Sequence, residues 1–364
     1  MSMPARSGIF IDVEDACENE RLNAAAATVE AAVMWLPKVS IIVSNCNYGR
    51  FLGEAIDSVL AQTYPNIEVI VVDDGSTDNS RQVIESRGDK VRAIFKENGG
   101  HVSALNAGFA ASAGDLVMFL DSDDVLEPNA LETVVSQWRD GFVRMIFPME
   151  VVNKAGVSVK KMVGGKALPS PILGSFGVGS PTSGNVFSRT AVEKVLPIPE
   201  SEWKACPDIY LTAVNLFGEV GCLRQPLAKY RLHGRNSLAC AEPLAVIRNR
   251  LYLDHRLYDV LCRLTDGKIV PLEDWLGGCP QHWVRRIISL RMDPHTHPWP
   301  DTLPDLTVRA IKATWRQPGR NFRRRLAYSL LVIAYSTLPG SALGALEEID
   351  AGERGSVLRV LLGA

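Results

Sequence analysis

Three carboxylates follow an uninterrupted apolar segment in the stretch DLVMFLDSDD, residues 115–124. Asp121, Asp123 and Asp124 come directly after the apolar residues, and no basic residue follows before Arg139. Carboxylates this close repel one another unless a cation neutralises them. Their oxygens are the ligands that hard divalent cations such as Mg²⁺ and Mn²⁺ prefer, often shared with substrate phosphates. The spacing therefore predicts a metal site at Asp121 and Asp123, with Asp124 in a supporting or capping role.

An ordinary capped turn is the alternative explanation of the same residues. Asp123 and Asp124 precede VLEPNALETVV, and aspartate commonly caps a helix, here one starting near Pro128. A D-x-D pair alone does not decide between the two, because such pairs are common. A second acidic turn, DDGS at residues 73–76, favours metal binding.

The elements around these residues predict an α/β fold. Apolar segments with strand character alternate with segments of helical periodicity. Strands that are apolar throughout are buried on both faces, so the sheet is predicted to be mostly parallel and flanked by helices. The predicted strands span residues 39–43, 67–72, 91–95 and 116–120, and the predicted helices span residues 50–62, 76–87 and 103–113.

Polar side chains come directly after three of these strands. Asn45 follows the first strand, Asp73, Asp74 and Ser76 follow the second, and Asp121 follows the fourth. In open parallel sheets, ligands bind outside the carboxyl ends of the strands. The sequence therefore predicts that these residues converge on one site.

Several motifs in this order resemble those of the family 2 glycosyltransferases, which have the GT-A fold. They are VSIIVSNCNYGRFLGEAIDSVLAQTYPNIEVIVVDDGSTDNS and NGGHVSALNAGFAASAGDLVMFLDSDD, followed by SPTSGNVFSR, LPIPE, PDIYL and YRLHGRNS. The resemblance covers residues 38–240 and implies a GT-A Rossmann-like, mostly parallel sheet. It also implies an inverting enzyme that moves a sugar from a nucleotide-diphosphate sugar to a hydroxyl acceptor, in cell-surface glycan or polysaccharide synthesis.

The resemblance also implies a role for each matching residue. The catalytic base is Asp208, and the metal, Mn²⁺ or Mg²⁺, is held by Asp121, Asp123 and His233. The residues matched to nucleotide binding are Asn45, Asp73, Asp74, Asn98 and Asp121. Those matched to the diphosphate or the sugar are Ser76, Asn106, Ser183, Asn185 and His233. The family often has Glu where this chain has Pro207, which leaves the base in place but removes a supporting carboxylate.

These implied roles agree with the chemistry of glycosyl transfer. The transition state is oxocarbenium-like, as in glycoside hydrolysis, and negative charge builds on the departing diphosphate. A metal at Asp121 and Asp123 stabilises that charge. A hydroxyl is a poor nucleophile, so a carboxylate set apart from the metal pair is needed to take its proton.

Two loops allow both a functional and a structural interpretation. The first loop is ENGGHVSALNAG, residues 97–108. In the functional interpretation, Asn98 and Asn106 line the nucleotide-sugar pocket. In the structural interpretation, the glycines form a turn and allow close packing of the helix. His101 in this loop is expected to be a solvated histidine. In PTSGN, residues 181–185, small polar side chains are predicted to form a pocket wall, with an ordinary loop as the alternative. Asp208 is also a candidate cap of the following helix.

Three other functional classes remain as alternatives. A catalytically inactive glycosyltransferase-like binding module would have lost the D-x-D pair or the base, and both are present. A phosphoacceptor receiver domain would not need the motifs at 180–240. A nucleotidyltransferase would need a glycine-rich loop with a basic residue in place of SNCNYGR.

Composition and charge exclude several classes. The chain has 364 residues, 46% of them hydrophobic, which is enough for a large core. Its net charge of −2 gives no indication of nucleic-acid binding. The seven cysteines are odd in number and scattered, which favours reduced thiols in a cytoplasmic protein. Acidic residues near the N-terminus argue against a secretion signal.

The motifs divide the chain into three predicted regions. Residues 1–37 form an N-terminal extension with a helix over 19–36, residues 38–240 the glycosyltransferase domain, and residues 241–364 a helical C-terminal region. Residues 315–325 contain five arginines, and residues 326–346 carry no charge. We expect a buried or interfacial helix ending near Leu338, with a membrane span as the alternative. A peripheral contact with the inner face of the membrane is a further prediction.

Overall fold

The computed structural model describes residues 10–12, 36–165, 180–203, 206–234, 243–316 and 321–338. The predicted N-terminal helix lies outside these residues, apart from Leu36. The chain divides into two compact units, one of residues 1–171 and 178–235, the other of residues 172–177 and 236–364.

The first unit contains two sheets in its described residues. The strands are β1 (Phe10–Asp12), β2 (Val39–Asn45), β3 (Ile67–Asp74), β4 (Arg92–Lys96), β5 (Leu116–Asp121), β6 (Val125–Leu126), β7 (Phe142–Ile146), β8 (Pro148–Val152), β9 (Ser158–Gly164), β10 (Asn185–Ser188), β11 (Glu219–Cys222) and β12 (Ala228–Arg231). The helices are α1 (Gly49–Leu60), α2 (Ser80–Glu85), α3 (His101–Ala111), α4 (Ala130–Ser136), α5 (Arg189–Val192) and α6 (Pro207–Leu211).

The larger sheet has the strand order β1-β11-β7-β10-β5-β2-β3-β4. Strands β5, β2, β3 and β4 are parallel neighbours, as their apolar sequences predict. Strand β10 runs antiparallel between β5 and β7. The predicted α/β fold with a mostly parallel sheet is therefore confirmed.

Helices cover both faces of this sheet, since alternate residues of a strand point to opposite sides. Ile41 and Val43 of β2 belong to the same buried cluster as Leu52 and Ile56 of α1. On the other face, α3 lies so close to β2 that a Cβ atom at Gly108 would meet Ile42 Cγ2 at 2.3 Å. The close helix packing predicted for this glycine is thus present.

The smaller sheet has the order β6-β12-β8-β9. Strand β6 begins only four residues after β5 ends, and it pairs antiparallel with β12. This pairing brings the chain that follows β12 next to the three carboxylates after β5. No local sequence pattern indicates that proximity, although the family resemblance implies that His233 lies near Asp121 and Asp123.

Several predicted helix boundaries differ from the structure, and three of the differences concern helices next to the site. Helix α2 begins at Ser80 rather than at residue 76, because Ser76 and Thr77 hydrogen bond to side chains of other turns. Helix α3 begins at His101 rather than 103, so the prediction of a loop histidine is wrong. Helix α6 begins at Pro207, which places Asp208 in its first turn and not at the cap.

The second unit is helical in its described residues. Its helices are α7 (Pro243–Leu264), α8 (Leu272–Leu276), α9 (Pro280–Met292), α10 (Leu303–Arg316) and α11 (Phe322–Thr337). Helix α11 ends next to Leu338, as predicted, and residues 339–346 of the apolar run lie outside the described part of the chain. None of the helices in the described residues is long and apolar enough to cross a membrane.

Candidate active site

The carboxyl ends of three parallel strands are aligned in register at one edge of the larger sheet. Ser44 of β2 pairs with Asp121 of β5, and Asn45 pairs with Asp73 of β3. The polar residues predicted to converge therefore do so, since the strand pairing places them side by side. This edge is where a ligand of a parallel sheet binds.

Asn45, Asp73 and Ser76 form a hydrogen-bonded turn at this edge. Asn45 Nδ2 donates to Asp73 Oδ1 at 2.8 Å and to Ser76 Oγ at 3.1 Å. Ser76 donates from its hydroxyl to Asp73 Oδ1 and from its backbone N–H to Oδ2. Gly75 completes the turn with a φ of +71°, and a Cβ atom there would lie 2.7 Å from the backbone nitrogen of Asn98. The turn is thus fixed before any ligand binds.

Asp74 is buried and holds the loop that precedes α3. Its carboxylate accepts hydrogen bonds from Lys96 Nζ at 2.7 Å and from the backbone N–H groups of Gly99 and Gly100 at 2.9 and 2.7 Å. Asn98, in the same loop, directs Nδ2 at Cys46 Sγ, 3.2 Å away. Asp74 therefore orients the loop, while the exposed Asn98 reaches the turn after β2.

Asp121 lies between the backbone of its strand and a histidine from α3. Its N–H donates to Ser183 Oγ at 3.0 Å, and the buried Ser183 thereby fixes the end of β5. His101 Nε2 lies 3.3 Å from Asp121 Oδ1. Burial lowers the pKa of His101, but the hydrogen bond and charge of Asp121 outweigh it, and the pKa is raised. Asp121 is thus held from both sides.

Asp123 is paired with the histidine predicted to reach the diphosphate or the metal. His233 Nε2 lies 2.7 Å from Asp123 Oδ2, and the His233 side chain has no exposed surface. The rings of Tyr48 and Phe51 surround it, with centroids 5.3 and 5.1 Å away. The structure therefore brings His233 to the D-x-D pair, as a side chain that orients Asp123.

Asp124 is buried and tied to β12. The backbone N–H of Arg231 donates to Asp124 Oδ1 at 3.1 Å, and Arg231 Nε donates to the backbone carbonyl of Asp123 at 3.0 Å. The Arg231 guanidinium also contacts Glu54 Oε2 at 2.6 Å. Arg231 thus fixes the turn after β5, consistent with the supporting role predicted for Asp124.

At this turn, the negative charge of one carboxylate makes ionisation of its neighbours less favourable. Burial raises the pKa of Asp123, the charge of Asp121 adds to that effect, and His233 opposes it. Burial and the charges of Asp123 and Asp121 raise the pKa of Asp124 well above its usual range. Oxygen donors under this repulsion fit a hard divalent cation, whose positive charge would relieve it. Among the described residues, no group of three or more His, Cys, Asp or Glu side chains is arranged to hold a metal ion. A pair of carboxylates is nevertheless sufficient for Mg²⁺, which typically binds one or two protein carboxylates together with substrate phosphates.

Asp208 is a half-buried carboxylate in the first turn of α6. Its negative charge contributes to the raised pKa of His101, together with the larger effect of Asp121. Burial lowers the pKa of Arg144 to about 10, and the charge of Asp208 opposes that shift. The negative charge of Asp208, the predicted base, therefore acts to raise the pKa of both His101 and Arg144.

Asn106 and Asn185 make their hydrogen bonds within the protein. Asn106 donates to the carbonyl of Ile198 and accepts from the N–H of the same residue, each at 2.9 Å. Asn185 is buried, accepts from the Arg144 guanidinium and donates to three backbone carbonyls of residues 180–182. Both residues fix loops around the site, and a sugar contact for either stays a prediction.

Sequence reasoning missed three residues at this edge: His101, Lys96 and Arg144. His101 follows two glycines and begins a helix, so a helix-start pattern two residues earlier would have placed it correctly. Lys96 is the last residue of β4. Arg144 is buried within β7, where a lone arginine indicates a buried polar partner.

Comparisons with known proteins agree with the fold and the motifs. Residues 40–163 match the model described as Glycosyl transferase family 2. An uncharacterized glycosyltransferase of Nostoc sp. is 42% identical over 215 residues, which are 55% of this chain and 66% of that protein. Glycosyltransferase GlyG of Streptococcus pneumoniae is 40% identical over 103 residues, which are 27% of this chain and 34% of that protein.

A solved structure shows the same fold. The crystal structure of S. aureus TarS 1-349 has a TM-score of 0.51 at 17% identity, covering 87% of this chain and 92% of that one.

The chain spans slightly less than two thirds of the Nostoc protein and about a third of GlyG. Asp208 and His233 lie beyond the stretch matched by the family model. The stretch that matches the Glycosyl transferase family 2 model contains the DDGS turn and the D-x-D pair.

Proposed function

We propose that this protein is an inverting, metal-dependent glycosyltransferase that moves a sugar from a nucleotide-diphosphate sugar to a hydroxyl acceptor. The observation that carries the proposal is the pair of aspartate–histidine contacts at the end of β5. His101 lies 3.3 Å from Asp121, and His233 lies 2.7 Å from Asp123. The two carboxylates are thereby fixed beside the turn that contains Asp73, at the edge of the sheet where ligands bind.

The donor occupies the edge formed by β3, β2 and β5. Asn45, Asp73 and Asp74 fix the turns that face the nucleotide, and Asn98 and Ser76 flank them. Asp121 and Asp123 would hold Mn²⁺ or Mg²⁺, with His233 orienting the second carboxylate. When bound, the cation neutralises charge on the departing diphosphate.

Asp208 accepts the proton of the incoming hydroxyl. The acceptor oxygen forms a bond to the anomeric carbon as the bond to the diphosphate oxygen breaks, and inversion follows because the two oxygens lie on opposite faces of the sugar. A carboxylate placed to take the proton contributes about 10²–10⁴-fold to the rate. The position of Asp208 in the first turn of a helix leaves it half-buried and able to meet an acceptor.

The resemblance to family 2 glycosyltransferases supports a role in cell-surface glycan or polysaccharide synthesis. The name of the Nostoc relative supports glycosyl transfer and gives no acceptor. A hydroxyl of a glycan or of a lipid-linked sugar fits the proposed chemistry equally well.

A binding experiment on the full chain tests the metal assignment. UDP- and GDP-sugars are titrated by calorimetry with and without Mn²⁺, on the wild type and on Asp121→Asn and Asp123→Asn. We expect metal-dependent binding of at least one donor by the wild type and its loss, by about tenfold or more, in both variants. Asp89→Asn is the matched control, because Asp89 is exposed on the turn before β4. Equal affinity with and without Mn²⁺ would contradict the metal dependence.

A further inference from the structure

Helix α11 has one face buried within the second unit and, beside it, a second face that is apolar and exposed. Ser329, Val332 and Tyr335 are buried. The helix runs antiparallel to α10, since Thr307 hydrogen bonds to Ser336 and Trp315 Nε1 donates to Ser329 Oγ. Core packing therefore accounts for one side of α11 only.

The exposed side of α11 carries a continuous row of large apolar side chains. Phe322, Leu326, Leu330 and Ile333 are exposed by 66, 45, 59 and 42%. Their spacing of four, four and three residues places them on one stripe of a helix. A single exposed leucine is ordinary, whereas a contiguous apolar stripe marks an interaction surface.

An indole lies at the start of this stripe. The Trp315 ring is 5.6 Å from the Phe322 ring, in an edge-to-face arrangement, and 38% of Trp315 is exposed. We call Trp315, Phe322, Leu326, Leu330 and Ile333 the α11 stripe. Aromatic residues at one end of an apolar helical face are typical of helices that lie in a membrane interface.

The charges around the stripe are positive. Lys312, Arg316, Arg323 and Arg324 are exposed on α10 and α11. Arg325 lies over Trp315, with its guanidinium carbon 5.9 Å from the ring centroid. The sequence from residue 306 to residue 338 contains no Asp or Glu. A partner of complementary charge must therefore be anionic.

We propose that the α11 stripe docks on the surface of an anionic lipid bilayer. The apolar side chains enter the boundary between headgroups and acyl chains, and the lysine and arginine side chains contact the headgroup phosphates. A second copy of this chain fits less well, because a pairing of stripes would bring two positively charged surfaces together. The helix lies on the membrane and does not cross it, in agreement with its length of 16 residues.

Vesicle co-sedimentation of the full chain tests the proposal without reference to glycosyl transfer. The lipids are phosphatidylcholine alone and phosphatidylcholine with about 30% phosphatidylglycerol, which gives the second set of vesicles a negative surface potential. We expect binding to the anionic vesicles that weakens at high salt. The variant Leu326→Ser/Leu330→Ser should lower the partition coefficient at least about tenfold. The variant Arg316→Gln/Arg323→Gln removes two charges, each worth about fivefold, and should therefore lower the partition coefficient by up to about 25-fold.

The control removes the same kind of exposed apolar surface elsewhere in the second unit. Val270→Ser/Met292→Ser changes two side chains that are 50 and 41% exposed, and it should bind the vesicles like the wild type. Circular dichroism and urea unfolding establish that each variant is folded. Equal binding by the stripe variant and the wild type would overturn the proposal.

Two other occupants of the stripe give different results, and each would also overturn the proposal. If a second copy covers the stripe, the wild type is a dimer that does not bind the vesicles, and the variant Leu326→Ser/Leu330→Ser is a monomer. If residues 339–364 of the same chain cover it, the full chain does not bind and a chain ending at Leu338 does.

Discussion

His101 Nε2 lies 3.3 Å from Asp121 Oδ1, so a side chain from the start of α3 contacts the first carboxylate of the D-x-D pair. The contact depends on Asp74, whose carboxylate binds the backbone N–H groups of Gly99 and Gly100 immediately before the histidine. The acidic turn after β3 and the acidic turn after β5 are therefore connected through the loop before α3.

This connection predicts that His101→Gln impairs the enzyme without unfolding it. A hydrogen bond to a charged group is worth about 1.5–3 kcal/mol, so kcat/KM should fall about 10- to 100-fold. The measurement is the initial rate of sugar transfer or donor hydrolysis over a range of Mn²⁺ concentrations. His295→Gln is the control, since His295 is exposed in the second unit. An unchanged rate in His101→Gln would show that the contact does not matter for catalysis.

Replacement of Asp208 by Asn should separate donor binding from transfer. The amide keeps the size of the side chain but cannot take the proton of the hydroxyl, so kcat should fall by about 10²–10⁴-fold. The donor dissociation constant should stay within about twofold, since Asp208 belongs to the acceptor side of the proposed site. Calorimetry measures the donor dissociation constant, and single-turnover experiments measure the rate of transfer. Normal turnover of Asp208→Asn would require a different base.

The part of the site that follows local patterns could be predicted from the sequence. Buried strands followed by acidic residues indicate a parallel sheet with a polar edge, and the register of β2 with β3 and β5 agrees with that prediction. The edge is a consequence of strand order, which is why Asn45, Asp73 and Asp121 could be grouped before their positions were known.

Contacts between distant segments could not be predicted in this way. His233 reaches Asp123 across 110 residues because β12 pairs with β6 in a second sheet, and no local pattern encodes that pairing. Arg231 and Arg144 are buried by the same long-range packing. Helix starts were misplaced where side chains of other turns bind the backbone, as Asn47 Oδ1 does at Thr77.

Replacement of Asp74 by Ala should destabilise the loop before α3 and weaken donor binding. The variant removes the acceptor of two backbone N–H groups and of Lys96 Nζ. Hydrogen bonds to charged groups are worth about 1.5–3 kcal/mol each, and relaxation of the loop recovers part of that. We expect a loss of about 2–4 kcal/mol in the free energy of unfolding, measured in urea.

The double variant Asp74→Ala/Lys96→Met tests whether the ion pair contributes to this effect. Lys96 keeps only a quarter of its side chain exposed, so removing its partner leaves a poorly solvated charge. The double variant should therefore be more stable than the sum of the two single changes predicts. Additive losses would mean that the backbone hydrogen bonds alone account for the role of Asp74.

The Glu68 carboxylate should stabilise the first unit at neutral pH and lose that effect in acid. Burial raises the pKa of its carboxyl, but hydrogen bonds from Ser40 Oγ and the Ala113 N–H and the charge of Lys38 outweigh burial, and the pKa is lowered. Because the folded pKa lies below the unfolded value of about 4.3, the stabilisation is full above that value and is lost as the pH falls through the folded pKa.

The difference in the free energy of unfolding between wild type and Glu68→Gln should therefore be largest near pH 7, about 1–3 kcal/mol, and should shrink below about pH 4.3. Urea unfolding of both proteins at pH 7 and in acid measures it, with Glu85→Gln on the exposed side of α2 as the control. A difference that does not change with pH would mean that the Glu68 carboxylate is not stabilised by its neighbours.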